Sequence, residues 1–148
     1  YFTTPGEDGR GPLFEAALDG SNPVQLLDHL PHTSFLINHQ SIFYSDGPVL
    51  FSSHLDGSGL KALYTGKNLI TPLNVDDAWV YAYEKGSQAY FRVHQVTGKR
   101  EDLTKIQNAG SLQVLDLIGG WLYFRRAGDT MRLRADNSGT LQTAPAFE

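Results

Sequence analysis

An internal period of about 40 residues constrains the fold of this 148-residue chain more than any other feature. Aromatic residues open corresponding segments at Phe2, Phe43, Tyr81 and Tyr123, with steps of 41, 38 and 42 residues. Glycines at positions 20, 57, 98 and 139 follow the same period, with spacings of 37, 41 and 41 residues. Because the two landmarks shift together, the sequence indicates four copies of one structural unit.

The second copy shows what each unit contains. Its short segments are rich in aromatic and β-branched residues, alternate with a period of two and are separated by turn sequences, which predicts antiparallel strands. We expect four strands there, at residues 35–39, 42–45, 49–55 and 60–65. Asp56-Gly57 predicts a tight two-residue turn, since glycine adopts positive φ freely and aspartate tolerates it. Residues 11–18 of the first copy are predicted as a strand by their place in the repeat.

A four-stranded antiparallel sheet that recurs about every 40 residues is typical of the blade of a β-propeller. Blades pack side by side around an axis, which buries both faces of each sheet. This explains why residues 112–118 have apolar side chains at both odd-numbered and even-numbered positions. A β-sandwich also uses many short strands but does not require this period. The predicted fold is therefore all-β, a single propeller domain or fragment with repeats at about 1–32, 33–69, 70–109 and 110–148.

The first repeat lacks a counterpart of the innermost strand, which begins at Phe35 in the second repeat. Three arrangements follow: a fragment of a longer propeller, two copies that pair into one ring as a homodimer, or a small four-bladed ring. We favour the first two. In the fourth repeat, Arg132 and Arg134 alternate with apolar residues, which fits either an exposed terminal blade or a charged contact between blades, to Glu15.

Composition excludes several classes of protein. With 41% hydrophobic and 19% charged residues the chain is globular, and its apolar runs are far shorter than the roughly 18 residues of a membrane-spanning helix, so no membrane insertion is expected. The absence of cysteine excludes disulfide frameworks and thiolate metal sites, and no cofactor is expected. A net charge of -4 argues against nucleic acid as a partner. The chain opens with Tyr1 and without a signal segment, which indicates a processed or excised piece.

Clusters of polar residues suggest chemistry but have simpler explanations. His29 and His32 resemble a two-histidine metal clip, yet a connector between blades carries polar residues in any case. The paired carboxylates of Asp76-Asp77 lie at the opposite end of a predicted strand from Glu84, so they are not expected to share a site with it. Four arginines within ten residues are suited to an anionic ligand, or to a solvated blade edge. They are Arg125, Arg126, Arg132 and Arg134.

Two of the repeats resemble a known family. Tyr1-Phe2-Thr3-Thr4 followed by Leu18-Asp19-Gly20-Ser21, and Phe43-Tyr44-Ser45-Asp46 followed by Leu55-Asp56-Gly57-Ser58, are similar to the YWTD repeats of low-density lipoprotein receptor-type propellers. They resemble still more closely bacterial propeller repeats of unknown function with the same pattern. The third and fourth repeats match more weakly, with Tyr83-Glu84 and Phe124-Arg125 in place of an aromatic residue followed by a small one. Together the four repeats extend the resemblance over nearly the whole chain. It implies a propeller fold, but propellers host many unrelated functions.

We expect a non-catalytic binding or scaffolding module, extracellular or at a bacterial cell surface, whose rim loops present charged residues to a protein or glycan. No catalytic residue is assigned. The candidate ligand-binding residues are Glu7, Asp8, Arg10, Lys67, Lys85, Arg126 and Asp129. The alternative is an enzyme, a lyase or hydrolase, with a metal or polar site in a central channel lined by Asn38, Asn74 and Asp116, although these residues also suit a water-filled channel.

Overall fold

The computed structural model describes residues 1–4, 6, 10–31, 35–39, 41–106 and 112–145, without the side chains of residues 29, 31 and 113–115. Glu7, Asp8 and His32, together with the side chain of His29, therefore lie outside the described part of the chain. Among the described residues no helix has the length and apolar character needed to cross a membrane.

The first two sheets are built from consecutive antiparallel strands. The first sheet pairs β1 (Phe2–Thr3), β2 (Arg10–Glu15) and β3 (Val24–Pro31). The second pairs β4 (Phe35–Asn38), β5 (Ser41–Asp46), β6 (Val49–His54) and β7 (Lys61–Thr65). Every strand end in the second sheet lies within one residue of its predicted position. The first sheet has three strands among the described residues, as the missing innermost strand predicts, rather than the four of the other repeats.

The third and fourth sheets repeat the four-stranded arrangement. The third pairs β8 (Ile70–Val75), β9 (Trp79–Glu84), β10 (Ala89–His94) and β11 (Arg100–Asp102), and a 3-10 helix (Thr104–Ile106) follows it. The fourth pairs β12 (Gln113–Ile118), β13 (Trp121–Arg126), β14 (Asp129–Arg134) and β15 (Gln142–Thr143). All neighbouring strands are antiparallel, and each sheet is made by one repeat.

The predicted turn at Asp56-Gly57 has a different geometry from the one expected. Ser52 pairs with Lys61, so the turn is longer than two residues, and it is held by a hydrogen bond from the Ser58 N–H to the Asp56 carboxylate at 2.9 Å. Gly57 does adopt a positive φ of 81°. Asp56 therefore contributes its side chain as an acceptor rather than a positive φ, which is the usual role of aspartate in such turns.

The sheets pack face to face in chain order, with an apolar cluster at each junction. Between the second and third sheets, Phe43 and Leu50 meet Val80 and Phe91, all of them buried. The third sheet buries its other face against the fourth, where Tyr81, Tyr90, Leu122 and Phe124 belong to a second cluster. Leu13, Leu30 and Ile42 form the smaller cluster between the first two sheets.

Burial of both faces explains why β9 is apolar on both alternations. Val80 and Ala82 point towards the second sheet while Tyr81 points towards the fourth. Full burial of a side chain of the size of Val80 stabilises the fold by about 1.5–3 kcal/mol. The described part of the chain is thus all-β, with four antiparallel sheets that pack like successive blades, and it shows no closed ring.

Candidate functional site

Hairpin turns of the second and third sheets and the connector between these sheets form a continuous edge, which we call the rim together with the equivalent turn of the fourth sheet. The Gly66 N–H donates to the Pro48 carbonyl at 2.8 Å, and the Lys85 N–H donates to the Leu69 carbonyl at 2.9 Å. These bonds hold the connector between the turns of two neighbouring sheets. The rim comprises residues 46–49, 66–69, 84–89 and 126–129.

A buried carboxylate lies directly beneath the rim. Glu84, the last residue of β9, is 5% exposed. Its Oε1 accepts the backbone N–H groups of Lys67 at 2.8 Å and Asn68 at 3.1 Å. Its Oε2 accepts the Ser87 hydroxyl at 2.8 Å and the guanidinium of Arg100 at 3.4 Å. Glu84 therefore fixes both the connector and the β9–β10 turn.

These bonds keep Glu84 ionised. Burial by itself would raise the pKa of the carboxyl group. The hydrogen bonds from Ser87, Lys67, Asn68 and Arg100 outweigh burial, because they favour the charged form, and they lower the pKa to about 2. With four donors of the fold bound to its two oxygens, this carboxylate serves as a structural anchor.

The rim presents exposed bases on this rigid support. Lys67, Lys85 and Arg126 are exposed, and their side chains form no hydrogen bond or ion pair within the described residues, nor does that of Asp129. Lys67 donates its N–H to Glu84, and Lys85 follows Glu84 directly, so the two lysines belong to one anchored unit. Arg126 and Asp129 are cross-strand partners at the β13–β14 turn.

Arg10 occupies a different environment from the rim lysines. Its guanidinium donates to the carboxylate of Asp46 at 2.5 Å and joins the first sheet to the turn of the second. Both side chains are about half exposed, and such a pair contributes little stability, typically below about 1 kcal/mol. This candidate residue is thus already engaged by another charge of the rim.

The three predicted channel residues lie on the edge strands β4, β8 and β12, but not at one level. Asn74 pairs with Tyr81, and Asp116 pairs with Tyr123. In the second sheet the corresponding aromatic residue, Phe43, pairs with Leu36, and Asn38 lies two residues beyond Leu36, opposite Ser41. The Oδ1 atoms of Asn74 and Asp116 each accept the N–H of the following residue at 2.7 Å.

Asn38 instead points its amide at the next sheet. Its side chain donates to the Asp76 carbonyl at 2.8 Å. The three side chains are therefore each hydrogen-bonded to a backbone group. Among the described residues no group of three or more His, Asp or Glu side chains is placed to hold a metal ion.

Asp76 and Asp77 are separated from Glu84 by the length of β9, as predicted. Asp76 accepts the N–H groups of Ala78 and Trp79 and the hydroxyl of Tyr81, at 2.7–2.9 Å. Burial and the neighbouring Asp76 raise the pKa of Tyr81. Asp77 is exposed and lies 3.2 Å from the imidazole of His39. Asp76 therefore closes a turn, and Asp77 forms a surface contact with His39.

The arginines of the fourth sheet divide into two groups. Arg125 and Arg126 are exposed near the rim, while Arg132 and Arg134 stack on the ring of Trp121, with guanidinium carbons 4.3 and 4.1 Å from its centre. Glu15, the predicted partner of Arg132 and Arg134, accepts a hydrogen bond from Tyr1 at 3.2 Å. The sequence did not predict stacking on Trp121, although the pairing of Trp121 with Arg134 in adjacent strands is a signal for it.

An open groove of about 470 Å³ lies away from the rim, between the first two sheets. Its lining includes Glu15, His54, Leu55 and Asp56. Hydrogen bonds from Ser58 lower the pKa of Asp56, which is committed to its turn.

Comparison of the sequence with models of known protein families and with curated proteins finds no match.

Proposed function

We propose that the four sheets are blades of a β-propeller. Support comes from the repeated four-stranded sheets, from their packing in chain order, and from the resemblance of the first two repeats to YWTD repeats. In a propeller the turns and connectors at one end of the blades form a shared surface, and such loops on a rigid scaffold commonly carry binding function.

On this basis the protein is a non-catalytic binding module whose rim binds an anionic protein or glycan. One observation carries the proposal: Lys67, Lys85 and Arg126 are exposed, and their side chains have no partner among the described residues. Glu84 and backbone hydrogen bonds hold the connector and the turn that carry the two lysines. Lysine and arginine bind carboxylate, sulfate and phosphate groups through charge-assisted hydrogen bonds. Rigid placement lowers the entropy lost on binding.

The test compares binding of the intact chain to three immobilised polymers: polygalacturonate, polyglutamate and neutral dextran. We expect binding to one of the two anionic polymers, weakening as salt rises because exposed charges are screened. The Lys67→Glu/Lys85→Glu variant should weaken this binding roughly tenfold or more, since two attractive charges become repulsive.

The matched control is Lys61→Glu/Lys99→Glu, which makes the same charge change at the opposite end of the sheets. Lys61 opens β7 and Lys99 lies in the β10–β11 turn. Equal loss in both variants would show a dependence on net charge alone and would contradict a rim site. Binding to none of the polymers would also contradict the proposal.

A further inference from the structure

An arginine stacked on a tryptophan marks the surface where the fourth sheet packs on the third. Arg92 lies 4.0 Å above the ring of Trp79 and is 9% exposed. Its Nη1 donates at 2.8 Å to the carbonyl of Ala135, the residue that follows β14 of the fourth sheet, and its other two nitrogens bind Glu101. This surface of the third sheet therefore accepts the next sheet along the chain.

The fourth sheet repeats that surface in register. Tyr81 pairs with Arg92 in the third sheet, and Tyr123 pairs with Arg132 in the fourth. Trp121 corresponds to Trp79, and Arg132 stacks on it at 4.3 Å. We call this surface the Trp121 face; it consists of Ile118, Trp121, Tyr123, Arg125, Arg132 and Arg134, of which Tyr123 is buried.

No described sheet covers the Trp121 face. Arg134 and Arg125 are exposed, and half of the surface of Ile118 is accessible. In the third sheet the corresponding pair, Trp79 and Arg92, is packed against the fourth sheet. The Trp121 face thus has the residues of a sheet-accepting surface without a sheet upon it.

The first sheet has the complementary surface. Phe2 and Phe14 are stacked cross-strand partners with ring centres 5.2 Å apart, just as Tyr44 and Phe51 are in the second sheet, at 5.5 Å. Tyr44 packs against the preceding sheet. Phe2, by contrast, is 41% exposed.

Leu18 extends this surface. It precedes the Asp19 turn as Leu55 precedes the Asp56 turn, and both turns are closed by a serine N–H at 2.9 Å. Leu55 packs between the first two sheets, while Leu18 is fully exposed. We call Phe2, Phe14 and Leu18 the Phe2 face; its residues correspond to those that dock on a preceding sheet.

We propose that the Phe2 face of one chain docks on the Trp121 face of a second copy. Two such junctions, related by a two-fold axis, would close a ring of eight sheets, within the range of known propellers. Each junction repeats the packing already present between the third and fourth sheets. The inference rests on the blade packing proposed above but not on the rim ligand.

The test is the solution mass of the intact chain, measured by light scattering from micromolar to hundreds of micromolar concentration. We expect a concentration-dependent dimer of twice the 16.4 kDa chain mass. Leu18→Asp and Arg134→Glu each alter one exposed residue of one face, so folding is preserved. Each should weaken dimerisation roughly tenfold or more, as charged substitutions at the core of an interface do. Val96→Asp and Arg126→Glu make the same kinds of change on exposed residues outside both faces and should leave the mass unchanged.

Mixing distinguishes this head-to-tail junction from a symmetric contact of like faces. Leu18→Asp retains an intact Trp121 face and Arg134→Glu retains an intact Phe2 face, so the mixed dimer has one undamaged junction and one that carries both substitutions. Each single-variant dimer has two damaged junctions, and we therefore expect the mixture to form a dimer, held at the undamaged junction, at concentrations where either variant alone is monomeric. A wild-type monomer at every concentration, or a dimer insensitive to both variants, would overturn the inference. Polygalacturonate and polyglutamate binding measured on monomeric Leu18→Asp reports the rim separately, so the failure of one proposal is distinguishable from the failure of the other.

Discussion

At the scale of single residues, Glu84 links stability to pH. Its side chain is 6% exposed, and four donors hold its pKa at about 2 instead of 4.5. A carboxyl group with a depressed pKa stabilises the fold above its unfolded-state pKa, and that stabilisation disappears as the pH falls through the folded-state value. The shift corresponds to about 3 kcal/mol.

We therefore expect Glu84→Gln to lower the free energy of unfolding by about 2–3 kcal/mol at pH 7. The difference between the wild type and the variant should shrink as the pH falls from about 4.5 towards 2. Urea denaturation across this range measures it. Asp129→Asn, at an exposed carboxylate without a partner among the described residues, is the control and should differ little from wild type. A constant difference at all pH values would contradict the assigned pKa.

The burial of Glu84 was not predictable from the sequence, in contrast to its place at a strand end. Two of its donors, Lys67 and Asn68, lie 17 and 16 residues away and belong to a connector whose path depends on how two sheets pack. Ser87, three residues on, is the one local signal. Local patterns can locate such a residue but cannot supply the partners that determine its ionisation.

At the scale of strands and turns, the glycines of the repeat serve two different purposes. Gly98 and Gly139 both adopt a φ of 69° in the turn before the outer strand. A Cβ on Gly98 would lie 2.5 Å from the Leu63 carbonyl oxygen of the neighbouring sheet, while a Cβ on Gly139 would meet nothing within 4 Å. One glycine is needed for conformation and close packing, the other for conformation alone.

We accordingly expect Gly139→Ala to cost about 1–2 kcal/mol of unfolding free energy, the usual strain of a left-handed residue with a Cβ. Gly98→Ala should cost at least about 1 kcal/mol more, because the clash with backbone forces the sheets apart. Parallel thermal and urea denaturation of the two variants compares them directly. Equal losses of unfolding free energy in the two variants would contradict this added cost, because they would mean that the second and third sheets move apart at Gly98 without a penalty.

Strand positions were predictable because their signals are local, as the second sheet shows. The sequence did not predict which residues of equivalent strands lie at matching positions in different sheets. Asn38, Asn74 and Asp116 lie on equivalent strands, but register shifts after Pro72 and Val114 place only the last two at matching positions. A bulge of this kind inserts one residue and reverses the alternation beyond it, and a strand that is apolar on both faces gives no sign of the reversal.

At the scale of the whole molecule, stability is expected to be uneven across the sheets. The third sheet is covered on both faces, whereas β1 and β15 are two-residue strands at the edges of the first and fourth sheets. Amide protons of β9 should exchange at least about 100-fold more slowly than those of β15, because opening β9 disrupts two apolar clusters. Hydrogen exchange followed by mass spectrometry or NMR measures this difference. Uniform protection across the four sheets would indicate a single cooperative unit instead.

Each described sheet is assembled from strands adjacent in the chain, and each packs on the sheet that follows it. Such local connectivity reduces the loop entropy that slows the folding of most β proteins. During synthesis the first sheets can therefore form before the fourth one leaves the ribosome. Among the junctions described or proposed here, that between the first and fourth sheets is the one that two chains share. Its formation would depend on how often completed molecules meet, and ring assembly would be controlled by expression level rather than by translation.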